Sequence, residues 1–153
     1  MNVEEIQPAL QTIVQGIALF SAVQDHVRLD DGQQNKAMET DLKSDGLTIL
    51  IMAPTGIQSE PADTAKGFTW IDYSTTIWLR TDPKIKAVSP ATGPRWNPLT
   101  CEKEIIKAVM QYSKALAGKQ YFRITKGAEP ETDFTDTGNF SRFVRFETRV
   151  VYQ

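Results

Sequence analysis

From Gly67 to Arg80 the chain reads GFTWIDYSTTIWLR and alternates with a period of two. Ile71, Tyr73, Thr75, Ile77 and Leu79 share one face; Trp70, Asp72, Ser74, Thr76, Trp78 and Arg80 share the other. Period two with β-branched and aromatic enrichment predicts a strand. It runs to more than twice the usual ~5–6 residues, so one end is expected to project beyond the core or to bend. The odd face is mostly apolar and is expected to point inward. The even face is too polar for a core and too aromatic for plain solvent, and part of it is expected to meet another protein chain.

The remaining pattern supplies partners for this strand. Val3, Ile6, Leu10, Ile13, Val14 and Ile17 recur at three and four, predicting a helix over residues 3–24 in which Pro8 is awkward and Gly16 weakens the middle, so that an end near Ile17 or Phe20 is the alternative. A short polar surface helix is expected over Gln34–Lys43. Leu47 to Ala53, LTILIMA, is a continuous apolar run that fits a strand covered on both faces, antiparallel to the long strand. Asp82 to Pro98 is a proline-rich arm whose Ile85, Val88 and Trp96 either order against a partner or fold it back on its own domain. Asn97-Pro98 opens a helix that Gly118 closes, with Asn as N-cap and Pro at the first helical position. A short strand is expected over Tyr121–Thr125, an acidic loop over Gly127–Asn139, and a closing strand over Phe140–Tyr152. Together these predict a single α+β domain over residues 1–153: a mostly antiparallel sheet of about four or five strands packed against two main helices, with long irregular loops.

Composition narrows the function classes. A net charge of −2 gives no bulk drive toward nucleic acid or acidic membrane. Residues 1–46 carry eight acids and three bases, whereas residues 99–126 carry two acids and six bases. That asymmetry reads either as two differently solvated faces or as an acidic surface that meets a basic one on a neighbouring copy. No run approaches a membrane span, and the first residues lack the pattern of a signal peptide. A single cysteine, Cys101, leaves no intrachain disulfide and no cysteine-rich zinc site.

Candidate chemistry is sparse. Asp136-Thr137-Gly138 spells an aspartic-protease tripeptide, but it sits in an acidic loop with only fifteen residues after it, and a turn is the better reading. Glu129, Glu131, Asp133 and Asp136 do not match a calcium-loop spacing. Cys101 is expected in the first turn of a helix, where the dipole lowers a thiol pKa, yet His26 is the only histidine and lies far upstream. His26 itself is expected to be a surface or capping residue. No catalytic residue, cofactor or metal is assigned, and the unusual residues suit assembly.

The order of elements — an N-terminal helix, LTILIMA, a long strand ending TTIWLRTD, an irregular arm, the helix EIIKAVMQYSKAL and the closing strand RFVRFETRVVY — resembles that of the tail terminator, or tail completion, proteins of tailed bacteriophages. The resemblance implies a non-enzymatic virion protein. Its subunits form a ring, usually of six, that caps the tail tube at its head-proximal end and joins the head-neck connector. The partners so implied are further copies of the chain, the tail tube protein and the connector, with DNA only passing through the lumen. Candidate contact residues are Trp70, Trp78, Arg80, Ile85, Val88, Arg95, Trp96 and Phe134. The alternatives are another neck or tube protein, or a small enzyme or ligand-binding domain around Trp70, Trp78 and Cys101.

Overall fold

The computed structural model describes residues 2–57, 69–86, 93–115, 122–124, 133–134 and 139–152. Helix α1 spans Val3–Gln15, and strand β1 Val27–Leu29 follows two single-turn 3-10 segments, Ala18–Phe20 and Gln24–His26. Helix α2 spans Asn35–Asp45 and leads to β2 Leu47–Ile51, β3 Thr55–Ile57 and β4 Thr69–Thr81. Helix α3 spans Pro98–Ala115, followed by β5 Arg123–Ile124, β6 Asp133–Phe134 and β7 Phe140–Tyr152. This is the expected α+β architecture. One sheet runs β1-β2-β4-β7-β5, with β3 on β4 and β6 on β7. Only β1 and β2 run parallel among its pairings.

β4 and β7 form the spine. Their 13 residues each pair without a break from Thr69↔Tyr152 to Thr81↔Phe140. As expected, β2 lies antiparallel to β4, and all five of its residues are buried. On the first face of the sheet, Ile49, Ile51, Ile77, Leu79, Val144, Phe146 and Val150 pack against Ile6, Leu10 and Val14 of α1 and Ile105 and Val109 of α3. The inward odd face of β4 is therefore realised at Thr75, Ile77 and Leu79, while Ile71 and Tyr73 are half-buried toward the far end.

One boundary and one burial differ from expectation for identifiable reasons. The first helix stops at Gln15, with Gly16 as its C-cap; glycine is costly inside a helix, and breaking there lets the next turns carry Phe20, Val23 and His26 inward. Pro8 is accommodated inside α1, whose Ile6, Leu10 and Val14 are fully buried around it. The second helix is no mere surface helix, since Met38 and Leu42 are almost completely buried. At α3 the expected cap is present: Asn97 Oδ1 accepts from the Leu99 and Thr100 amides at 3.0 and 3.3 Å. Gly118 and the Asp136-Thr137-Gly138 tripeptide lie outside the described residues.

Candidate interaction face

The two faces of the sheet are covered unequally. α1 and α3 pack on the first face, whereas α2 lies on the second, where Thr48 and Arg80 pair across β2 and β4. Thr48 Oγ1 donates to Asp41 of α2 at 3.1 Å, and Arg80 Nη1 donates to Glu39 of α2 at 3.0 Å. Arg28, on the same face of β1, donates to both Asp41 oxygens, at 2.7 and 2.9 Å. That hydrogen bond is the main reason the Arg28 guanidinium is held above its ordinary range. α2 is thus fastened over β1, β2 and the adjoining end of β4.

The α2 C-terminus also anchors the proline-rich arm. The Asp82 amide donates to the Gly46 carbonyl at 2.9 Å, and Ile85 packs over Gly46. Arg95 donates to Asp45 Oδ1 at 3.1 Å and lies over the Trp96 ring; the Trp96 indole donates to the Asp45 carbonyl at 2.8 Å. Trp96 joins the core beside Phe20. Of the two arrangements open to the arm, its described part folds back on its own domain. Trp96 and Arg80, each only 8% exposed, are therefore internal and leave the exposed contact set. Ile85 and Arg95 are half-buried against α2, Phe134 lies on β6 opposite Phe140, and Val88 lies outside the described residues.

What remains is the second face of β4 and β7, which no described helix covers beyond α2. Its cross-strand pairs, from the far end inward, are Trp70↔Val151, Asp72↔Arg149, Ser74↔Glu147, Thr76↔Arg145, Trp78↔Phe143 and Arg80↔Ser141. Trp78 and Phe143 stack with centroids 5.7 Å apart and planes 9° apart, and Arg80 lies 4.9 Å over the Trp78 ring. Arg149 is bidentate to Asp72 at 2.8 and 3.0 Å and lies 5.2 Å over Trp70. Arg145 is exposed, and Val151 is 53% exposed. The expected even face of the long strand is therefore present, with Trp70 and Trp78 half-buried on it. Arg145, Phe143 and Val151 complete it. Alternation in β7 already placed Arg145, Arg149 and Val151 on one side, but only the register reveals that they adjoin the tryptophans.

The thiol named for the enzyme alternative is enclosed. Cys101 is buried, and burial pushes its thiol up to about 12 despite its place in the first turn of α3. His26 is not its base. It is 6% exposed, against the expectation of a surface residue. Its Nδ1 lies 3.1 Å from the Leu47 carbonyl and its Nε2 3.2 Å from Asp45, with Asp41 and Asp25 at 3.6 and 3.8 Å. Arg28 and Arg95 occupy the same carboxylates, and among the described residues no group of three or more acidic, histidine or cysteine side chains is placed to hold a metal. No helix among them is long and apolar enough to cross a membrane. No protein-family model matches the chain, and no curated protein sequence matches it.

Proposed function

We propose that this chain is a structural assembly subunit of a phage tail, of the tail-terminator kind. Copies associate into a ring that caps the tube and docks to the head-neck connector, within the virion. The observation that supports the reading is the β4–β7 face that no helix among the described residues covers beyond α2, with its stacked Trp78–Phe143 pair, its Trp70–Arg149 contact and the exposed Val151. Aromatic and arginine side chains on a face of mixed polarity are the composition of an interface centre. The order of elements along the chain, which resembles that family's, supports the same reading.

Val151→Asp tests it, because the side chain is half exposed and its replacement leaves the core untouched. Light scattering after size exclusion, with negative-stain imaging, should show rings or tube-end caps for the parent chain and their loss in the variant at unchanged melting temperature. A parent chain that associates neither with itself nor with tail tubes would rule the proposal out.

A further inference from the structure

Among the described residues, the second face of β4 and β7 is unbalanced once its internal pairs are formed. Asp72 is held by Arg149, and Glu39 by Arg80, while Glu147 also has a partner. Arg145 is exposed and has no hydrogen-bonding or ionic partner among the described residues. The buried Trp78 Nε1 and Arg80 Nε next to it are unpaired too, and both can only donate. Ser141 Oγ, opposite Arg80, is likewise unpaired and can donate. These residues occupy three successive cross-strand positions, Thr76↔Arg145, Trp78↔Phe143 and Arg80↔Ser141. Same-face positions on a strand recur about every 7 Å, so the patch is continuous. Those three unpaired atoms are enclosed, so the group on this face open to a partner is the Arg145 guanidinium, the free full charge there among the described residues.

The opposite charge collects around the start of α1 and the turn after β1; Glu4 there lies within electrostatic reach of Tyr152 at the end of β7. The Gln7 side chain of α1 reaches the Asp30 carbonyl at 3.5 Å and the Ile51 carbonyl at 2.8 Å, so the first turns of α1 and the turn after β1 share one corner. That corner carries Glu4, Glu5, Asp30 and Asp31; residues 1–27 contain no lysine or arginine. Their hydrogen bonds are local: Glu5 accepts from the Asn2 amide, Asp30 from the Gly32 amide, and Asp31 from Gln33 and Gln34. None of the four carboxylates has a cationic partner among the described residues.

We infer that the occupant of the Arg145–Trp78–Phe143 patch is a second copy of this chain, which presents its Glu4–Glu5–Asp30–Asp31 corner. The inference rests on the proposed function only in taking the β4–β7 face as an interface. The unpaired acids adjoin α1, which packs on the first face, and the unpaired guanidinium lies on the second face, so the two surfaces differ and the contact is heterologous, the kind that propagates around a ring. Each carboxylate placed on Arg145 forms a charge-assisted bond. The contact is therefore salt-sensitive, because the screening length falls to about 3 Å at 1 M salt.

The test is sedimentation velocity at low and high salt on the full chain, on Arg145→Glu, on Glu4→Lys/Asp31→Lys, and on a chain carrying all three changes. Each set alone is expected to weaken self-association by roughly tenfold or more. The combined chain is expected to recover most of that loss, because the charges have exchanged sides. All four proteins should stay folded, since every altered side chain is exposed; the chains with Glu4→Lys/Asp31→Lys should melt a few degrees lower, because they give up the bonds from Gln33 and Gln34 and a favourable charge at the start of α1, and association is compared well below that temperature. If Arg145→Glu weakens association while the acidic-corner variant does not, the face is an interface with another occupant, and this inference alone fails. A parent chain that stays monomeric also overturns it, leaving the proposed function to be judged by tail-tube binding. If neither Arg145→Glu nor Val151→Asp alters any association, the β4–β7 face is not the interface and both fail.

Discussion

Asp41→Ala should be among the most damaging single changes in the chain, through loss of the fastening that holds α2 on the second face. Asp41 is 3% exposed and takes two bonds from Arg28 and one from Thr48. Its removal leaves Thr48, which is 0% exposed, with an unmet hydroxyl, at about 1–3 kcal/mol. It also strips the Arg28 guanidinium of its charge partner. Breaking one side of a buried pair costs about 3–5 kcal/mol, but the Arg28 side chain keeps 26% exposure and can partly rehydrate, so about 2 kcal/mol is the appropriate share. The total is about 4 kcal/mol, which for a chain of this size lowers Tm by roughly 10 °C. Urea unfolding should show the midpoint falling by about 2 M. Thr48→Val removes one hydrogen bond to the Asp41 carboxylate and should cost about 1.5–3 kcal/mol. Arg28→Met combined with Asp41→Leu should cost far less than the sum of the single changes, because no charge is then stranded. A loss below about 1 kcal/mol for Asp41→Ala would show that α2 is held by Met38 and Leu42 alone, and the argument from the ion-pair network would be wrong.

Three further outcomes follow from local geometry. Gly46→Ala places a Cβ 2.7 Å from the Ile85 Cβ at a residue with φ +77°; the backbone conformation alone costs about 1–2 kcal/mol, and displacement of Ile85 should loosen the arm as well, visible as faster proteolysis near residue 85. Asn97→Ala removes the cap of α3 and should cost about 1 kcal/mol in chemical denaturation; no change would mean that water or the preceding arm replaces the cap. Cys101, with its thiol pushed up to about 12 by burial, should resist alkylation from neutral to mildly alkaline pH. As the thiolate is the reactive form, labelling should start only when denaturant opens the chain, and rapid labelling of the folded protein would contradict this assignment.

The elements whose periodicity is long were legible. β4 and β7 alternate for 13 residues each, and α3 carries both its stripe and its Asn-Pro start. β2 was legible because a short apolar run between turn residues has few other fates. β1 was not, since a strand of three residues, Val27–Leu29, has no readable period. The depth of α2 was hidden because two apolar side chains, Met38 and Leu42, do the burying while the rest of the helix, Ala37 apart, is polar. The candidate face was half legible. Trp70 and Trp78 declared themselves by alternation, but Arg80 looked like a surface cation because nothing local signals Glu39, which lies forty-one residues away. Trp96 looked like a free anchor for the same reason, its indole partner being the Asp45 carbonyl. His26 was misread because its neighbours Asp41 and Asp45 arrive with α2.

The unequal cover of the sheet follows from lengths. α2 has 11 residues and is about 16 Å long at 1.5 Å per residue. β4 and β7 have 13 residues each and run to about 44 Å at 3.4 Å per residue. A helix so short, pinned over β1 and β2 by Arg28 and Thr48, cannot also shield the far half of the spine. The side chains left there are not those of a solvated antiparallel face, which would alternate polar residues outward. Two tryptophans, a phenylalanine and a valine lie among Arg145, Arg149, Asp72 and Glu147. Arg149 tucks over Trp70 and Arg80 over Trp78, so each ring keeps part of its surface dry within the monomer while the outer surface stays available. A face built this way can stay soluble alone and still gain from association, and that is the property a subunit needs if it is to fold first and assemble afterwards.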